Sequence, residues 1–169
     1  MDQTALTQFR IGQGWDTHRT EVGRALILGG IHIPSEFGLA GHSDADVLFH
    51  AVTDALLGAL ALGDIGMHFP DTAPEWKGAN SEEFLRHALE LVTGHGYALA
   101  NVDSTIILER PKLKDFRLAI RDNLARVLSV PASCVGIKFK TAEKFGPVGE
   151  GRSCEAQVAV LINRIRPSD

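Results

Sequence analysis

Cysteine is nearly missing from this chain of 169 residues: Cys134 and Cys154 are the only two. They do not form a C-x-x-C pair, which excludes a disulfide framework and a thiolate metal site. Each sits in a strand-like apolar run, where a thiol packs rather than reacts, and neither is assigned chemistry. No hydrophobic run is long enough to span a bilayer, so no membrane association is expected, and no stretch is polar enough to stay unfolded. The opening MDQTALTQFR lacks the apolar stretch of a secretory signal, and a cytoplasmic location is the expectation. An excess of one charge is also lacking. Seventeen Lys and Arg against 21 Asp and Glu leave a net charge of −4, and the basic residues scatter from Arg10 to Arg166. That distribution excludes the basic footprint of a nucleic-acid binder, so any phosphate site must be local.

What is present is globular: 44% of residues are hydrophobic and 22% charged, in a length that suits one domain with a real core. FRIGQGWDTH reads as a strand broken by glycines, and RALILGGIHIP as a hairpin around Gly29-Gly30. Ser43 occupies the place of a helix N-cap, with Asp46 three residues on, and VLFHAVTDALLGALAL continues at helical period. GDIGMHFPDTAPEWKG has no periodicity and reads as a long loop, the kind that carries function in small domains. A second helix is expected from about Ser81 to Thr93, ending at Gly94 and Gly96, followed by a strand in VDSTIILE. Pro111 opens a third helical stretch, DFRLAIRDNLARVLSV, and the chain closes with the strand VGIKFKT, the turn EKFGPVGEGR and the strand EAQVAVLINRI. The alternation gives an α/β domain with an antiparallel hairpin at its end.

Chemistry gathers at two places, GWDTH and GHSDADVLFH. On an extended strand, side chains i and i+2 share a face, so Asp16 and His18 present a carboxylate beside an imidazole. His50, in the first helix, completes the three N and O ligands of a catalytic zinc site with one open position. Asp46 and Asp54 are each four residues from His50 and share its face; Asp46 is the favoured partner to orient that imidazole. On spacing alone the alternatives stay open. A D-x-H triplet arises by chance, a lone helical histidine more often packs than ligates, and Asp44 and Asp46 serve equally as acids in a first helical turn.

Four ordered motifs narrow this: G-x-G-x-D-x-H at residues 12 to 18, G-H-S-D-x-D-V-x-x-H at 41 to 50, T-D-A-L-L-G-A at 53 to 59, and G-D-I-G-x-x-F-P-D-T at 63 to 72. With K-G-A-N-S at 77 to 81, N-V-D-S-T-I-I at 101 to 107, P-K at 111 to 112, T-A-E-K at 141 to 144 and G-E-G-R-S-C-E-A at 149 to 156, the chain closely resembles, over nearly its whole length, the 2-C-methyl-D-erythritol 2,4-cyclodiphosphate synthase family of non-mevalonate isoprenoid biosynthesis. The resemblance implies one α/β (α+β) domain over residues 1–169, with 1–8 a flexible leader. Its fold would be a mixed four-stranded sheet plus an extra hairpin, with helices on one face. It further implies a homotrimer around a central prism of sheets, with each active site between neighbours.

By the same resemblance, the substrate is 4-diphosphocytidyl-2-C-methyl-D-erythritol 2-phosphate, and the products are the cyclic diphosphate and CMP. One zinc per subunit is implied on Asp16, His18 and His50, and a magnesium or manganese ion on Glu143. His42 and Thr141 match the residues that stabilise the transition state. Ser43, Asp64, Ile65, Gly66 and the loop Phe69, Pro70, Asp71, Thr72 and Ala73 match those that hold the phosphates and the erythritol. Leu108, Pro111, Lys112, Leu113 and Lys114, with Lys140, Thr141 and Ala142, match the cytidine pocket, where backbone groups would read the base. One departure stands out: the turn after E-K is short, FGPVGEGR, with Phe145 ahead of Gly146 and Arg152 after Gly151. The chain's end at Asp169 is expected to exclude the fused partner domain that some relatives carry.

Two rivals remain at this stage. A zinc hydrolase with His42 as base would turn over substrates lacking the 2-phosphate. A binding protein that kept the scaffold but lost turnover would be expected to have lost Asp16, His18, His50 or Glu143, and all four are present.

Overall fold

The computed structural model describes residues 8–165. Twelve elements follow in order: β1 (Phe9–Val22), β2 (Leu26–Leu28), β3 (Ile31–Ile33), β4 (Phe37–Leu39), α1 (Val47–Ala59), α2 (Ile65–His68), α3 (Ser81–Gly94), β5 (Tyr97–Ile107), α4 (Arg117–Leu128), β6 (Val135–Lys140), α5 (Gly146–Gly149) and β7 (Ser153–Arg164). The main sheet has the order β4-β1-β7-β5-β6, and β2 and β3 form a separate hairpin. Only the β5–β6 pair is parallel. Its crossover runs through α4, as a parallel pair requires. The expected mixed four-stranded sheet with an extra hairpin is therefore present, widened by the short edge strand β4.

Strand β7 sits at the centre, and its alternation shows which face is covered. Cys154, Ala156, Val158, Val160 and Ile162 are buried, while Gln157 and Ala159 between them are exposed. All the long helices pack on that covered face: α1 against β1 and β7, α3 against α1 and β5, and α4 against β6. Helix α1 is apolar nearly all round, and ten of its thirteen residues are buried, as suits a helix enclosed between a sheet and other helices. Helix α3 is amphipathic, burying Phe84, Leu85, Ala88 and Val92. Asn80 caps its N-terminus by accepting the Glu82 N–H at 2.9 Å.

Several local expectations need correction. The glycines of FRIGQGWDTH do not break a strand: β1 runs unbroken through Gly12 and Gly14. A Cβ on Gly12 would lie 1.7 Å from the Ala55 carbonyl oxygen, and one on Gly14 1.9 Å from that of Ala51, so these glycines let α1 lie directly on the strand. The terminal hairpin is absent. Strand β7 inserts between β1 and β5 and does not pair with β6, because a strand apolar enough to be central is buried there by two neighbours. The loop at residues 63–78 contains the short helix α2 and a 3-10 turn at Pro74–Trp76. The third helical stretch begins with a 3-10 turn at Lys114–Phe116 rather than at Pro111, and Cys134 lies in another such turn, not in a strand. Of the leader expected over residues 1–8, the first seven lie outside the described residues, and the Gln8 carbonyl accepts the Arg164 N–H at 2.9 Å.

Candidate metal centre and substrate cleft

Strand β1 places Asp16 and His18 on the covered face, two residues apart, where α1 crosses it. The helix is fixed there by its N-cap, which is Asp46 and not Ser43. The Asp46 carboxylate accepts four backbone N–H groups: Leu48 and Phe49 of the first helical turn at 3.1 Å each, and Gly29 and Gly30 of the β2–β3 turn at 2.9 and 2.6 Å. Burial pushes its carboxyl up to about 6 although those four donors favour the charged form. It therefore ties helix to hairpin, and it does not orient the His50 imidazole as expected from spacing. Asp54, the other candidate, accepts the Ile65 N–H at 2.7 Å and so sets the start of α2. Burial raises its pKa.

Three ligand atoms meet in a triangle. Asp16 Oδ2 lies 3.0 Å from His18 Nε2 and 3.1 Å from His50 Nδ1, and the two imidazole nitrogens are 3.0 Å apart. Their tautomers follow from their other partners. His18 Nδ1 is 2.7 Å from the Ala40 carbonyl, which can only accept, so it carries the proton and leaves Nε2 with a lone pair. Ser81 donates its hydroxyl proton to Asp44, so its oxygen accepts from His50 Nε2–H at 2.8 Å, and His50 Nδ1 presents a lone pair. Two lone pairs and a carboxylate oxygen thus converge within about 3 Å, an arrangement that only a cation or an added proton satisfies. The set can hold a metal ion. Burial pushes the Asp16 carboxyl upward, but with an added proton in the triangle the hydrogen bonds that His18 and His50 donate outweigh that and hold it well below the usual carboxylate range. Burial likewise lowers the pKa of His18, and the hydrogen bond to Asp16 raises it on balance.

Around the triangle opens a cleft of about 490 Å³, lined by Gly41, His42 and Ser43 and by Ile65, Gly66, Phe69, Pro70 and Asp71. Trp76 and Phe84, which sequence reasoning missed, complete the wall. The Phe69 ring packs on Phe84 at 4.4 Å and edge-on to Trp76 at 5.1 Å, which fastens the 69–76 segment to α3. Ala73 contributes its carbonyl, 3.3 Å from His42 Nε2. Asp64 faces the local backbone, capping α2 through the Met67 N–H at 3.0 Å, and Asp64, Thr72 and Ala73 are not among the residues that line the cleft. Ser81 as partner of His50, and Asp44 as acceptor of the Ser81 hydroxyl, were also missed; the only signal was their place in the A-N-S and H-S-D motifs.

The remaining predicted residues gather elsewhere. Thr141 and Glu143 follow β6, hydrogen-bonded to each other at 2.7 Å, with Glu143 in the left-handed region at φ 50°. The Leu108 N–H donates to the Lys140 carbonyl at 3.0 Å, which joins the 108–114 segment to that same end of the sheet. Leu108 and Leu113 are buried, Lys112 and Lys114 are exposed, Pro111 lines a shallow depression with Glu36, Phe37 and Arg110, and the Ala142 carbonyl accepts the Phe145 N–H. None of these residues lines the metal-side cleft. In sheet order β6 is three strands from β1, about 14 Å.

Comparison with known proteins agrees with this arrangement. The model of the YgbB family matches residues 9–163. The chain is 63% identical over 159 residues to 2-C-methyl-D-erythritol 2,4-cyclodiphosphate synthase of Solibacter usitatus, covering 94% of this chain and all of that one. It is 55% identical over 160 residues to the synthase of the same name from Neisseria gonorrhoeae, covering 95% and all, respectively. A solved structure of a 2C-methyl-D-erythritol-2,4-cyclodiphosphate synthase in a CDP-bound form superposes with a TM-score of 0.85 at 45% identity, covering 91% of this chain and all of that one.

Proposed function

The chain belongs to the YgbB family, and from that premise we propose how its own residues carry the reaction. It is an enzyme that converts 4-diphosphocytidyl-2-C-methyl-D-erythritol 2-phosphate to 2-C-methyl-D-erythritol 2,4-cyclodiphosphate and CMP in isoprenoid precursor biosynthesis. The oxygen that attacks belongs to the substrate. A phosphate monoester with a second pKa of about 6 is largely dianionic at neutral pH and needs no protein base. The chain must hold that oxygen in line behind the β-phosphorus, meet the charge that develops and let CMP depart.

The observation that carries the assignment of roles is the triangle of Asp16, His18 and His50 in the wall of a cleft of about 490 Å³. Its O, N, N donor set fits zinc with an open fourth position, one per subunit. Glu143, an exposed carboxylate held by Thr141, suits magnesium or manganese. When bound, such ions supply charge neutralisation at the transferring phosphoryl group. His42 and Ser43 hold the phosphates at the cleft's rim, His42 as a stabiliser of the transition state. Ile65 and Gly66 position the erythritol, with Asp64 capping the helix that carries them, and Phe69, Pro70 and Asp71 close over it and exclude water, with Thr72 and Ala73 continuing that loop behind the cleft wall.

Cytidine belongs on the second group: Leu108, Pro111, Lys112, Leu113 and Lys114, with Lys140, Thr141 and Ala142. Thr141 stabilises the transition state beside Glu143. Because that group lies apart from the metal cleft in one chain, a complete site is assembled between neighbouring copies. The uncovered sheet face supports a homotrimer, since Phe9, Ile11 and Trp15 stand on it 58%, 75% and 48% exposed. No described helix is long and apolar enough to cross a membrane, and a cytoplasmic enzyme acting on a soluble nucleotide is the reading this favours.

Phosphorus NMR of the purified protein with the cytidylyl 2-phosphate substrate, with and without magnesium, tests the proposal. The cyclic diphosphate with one CMP per turnover is the expected result. Linear hydrolysis products, or turnover of a substrate lacking the 2-phosphate, would refute cyclisation.

A further inference from the structure

The segment 40–43, which carries His42 and Ser43 to the cleft, has every one of its carbonyls committed. Ala40 accepts from His18 Nδ1 at 2.7 Å, and His42 from the Gly78 N–H at 2.7 Å. The other two, Gly41 and Ser43, accept from a single side chain. Arg24 Nη1 donates to the Gly41 carbonyl and Nη2 to the Ser43 carbonyl, each at 2.8 Å. Arg24 stands at the turn between β1 and β2, and its side chain is one-third exposed. Its nearest acid, Glu21, is 3.8 Å away and half exposed, so the guanidinium is committed mainly to these two carbonyls.

A planar trans peptide points its N–H opposite to its C=O. Turning the Gly41 carbonyl to Arg24 therefore turns the His42 N–H away from it. Turning the Ser43 carbonyl likewise sends the Asp44 N–H the other way, where it meets the Ala79 carbonyl at 3.0 Å. Among the described residues, the N–H groups of Gly41, His42 and Ser43 donate to no protein acceptor, although all three residues line the cleft. Three consecutive free N–H groups make an anion site only while their peptides hold one orientation.

We propose that Arg24 is a positioning residue of the reaction: its two-pronged grip on the Gly41 and Ser43 carbonyls sets the Gly41–His42 and Ser43–Asp44 peptide planes, which bracket the His42–Ser43 pair, so that this segment meets the phosphates of the substrate. The proposal rests on the reading of His42 and Ser43 as phosphate-holding residues. A planar, two-pronged donor is required, because one ammonium group cannot span both carbonyls with the same geometry. Arg24 itself touches no reacting atom in this arrangement.

The test compares the full-length wild type with Arg24→Ala and Arg24→Lys. It measures CMP release (kcat and KM), metal content, thermal midpoint and CDP affinity, CDP serving as a ground-state probe without the reacting 2-phosphate. A loosened segment should lower kcat about 10- to 100-fold in the alanine variant and less in the lysine variant. Metal content should stay unchanged and CDP affinity should stay within about 3-fold. Guanidinium ion at tens of millimolar should restore part of the lost rate to the alanine variant and none to the wild type. Unchanged kcat in both variants overturns the proposal. So does a loss of kcat that tracks loss of metal and of CDP binding, since that is a structural role only. If Arg24→Ala does not fold, Arg24→Lys decides: a lowered kcat at wild-type metal content supports the proposal, and wild-type kcat overturns it. His42→Ala, measured alongside, separates the two readings. If it turns over like wild type while the Arg24 variants are slow, the role given to His42 fails and the positioning role of Arg24 toward the segment stands.

Discussion

Gly14→Ala should open the metal triangle without touching any ligand. The added Cβ would lie 1.9 Å from the Ala51 carbonyl oxygen, and contacts below about 3.0 Å are not tolerated, so α1 must retreat from β1 by about 1.1 Å. Ala51 follows His50 on that helix, and Gly14 precedes Asp16 by two residues on the same face of the strand. The retreat therefore lengthens the 3.1 Å separation of Asp16 Oδ2 and His50 Nδ1 by a comparable amount. A metal site accepts ligand distances within about 0.2 Å of ideal, so the shift exceeds its tolerance several-fold. Overpacking costs about 1–3 kcal/mol of stability, offset by less than about 1 kcal/mol from stiffening the unfolded chain. Urea denaturation and metal analysis of the same preparations read both effects, and stability and metal should fall together. Gly58→Ala is the control. Its Cβ would meet only the Gln13 carbonyl oxygen at 3.7 Å, so within the same helix it should stabilise by up to about 1 kcal/mol and leave metal content alone. Wild-type stability and metal content in Gly14→Ala would refute the argument that helix and strand are set at contact distance by these glycines.

Other outcomes follow from the same geometry. His50→Ala should lose the bound metal and nearly all CMP release while the protein still folds, because the helix is held by its cap and its buried face; retained metal by elemental analysis would remove His50 from the ligand set. Glu143→Gln should slow turnover more than it weakens nucleotide binding, most at limiting magnesium, and equal rates across a magnesium titration would count against its metal role. Asp46→Asn keeps the size of the side chain but turns an amide N–H₂ toward backbone N–H donors. It should cost about 2 kcal/mol in urea denaturation and loosen hydrogen-exchange protection at Gly29 and Gly30; protection equal to wild type would contradict the anchoring role. Cys154 is fully buried and burial pushes its thiol up, so alkylation of the native protein should label Cys134 alone, with Cys154 labelled only after unfolding.

Much of the fold was legible because its elements carry local signals. The apolar run from Val47 and the amphipathic stretch from Ser81 are helices near the expected bounds, since periodicity and caps are properties of neighbouring residues. What failed depended on distant partners. Gly12 and Gly14 read as strand breakers when judged locally, yet each is required by a helix some forty residues away. The order of the strands was equally hidden: β7 is the last strand in sequence and the central one in space, and its apolarity on the inward face fits either a terminal hairpin or a central position.

The site shows the same division. Asp16 and His18 could be paired from the two-residue period of a strand, and His50 added to complete a ligand count; the structure brings the three ligand atoms within about 3 Å of one another. The groups that fix which nitrogen of each imidazole faces the triangle could not be read this way. Spacing offered Asp46 or Asp54 as partner to His50, because both lie one helical turn from it. The protein uses Ser81, 31 residues away, with Asp44 behind it, and the Ala40 carbonyl for His18. The choice at His50 has a packing cause. A side chain one turn along the same helix is directed into the same crowded interior, where Asp46 is already needed by four N–H groups, whereas a hydroxyl at the start of α3 reaches the imidazole from across the cleft. A motif therefore marks where ligands stand, and groups brought in by long-range packing, the Ala40 carbonyl for His18 and Ser81 of α3 for His50, decide how they point.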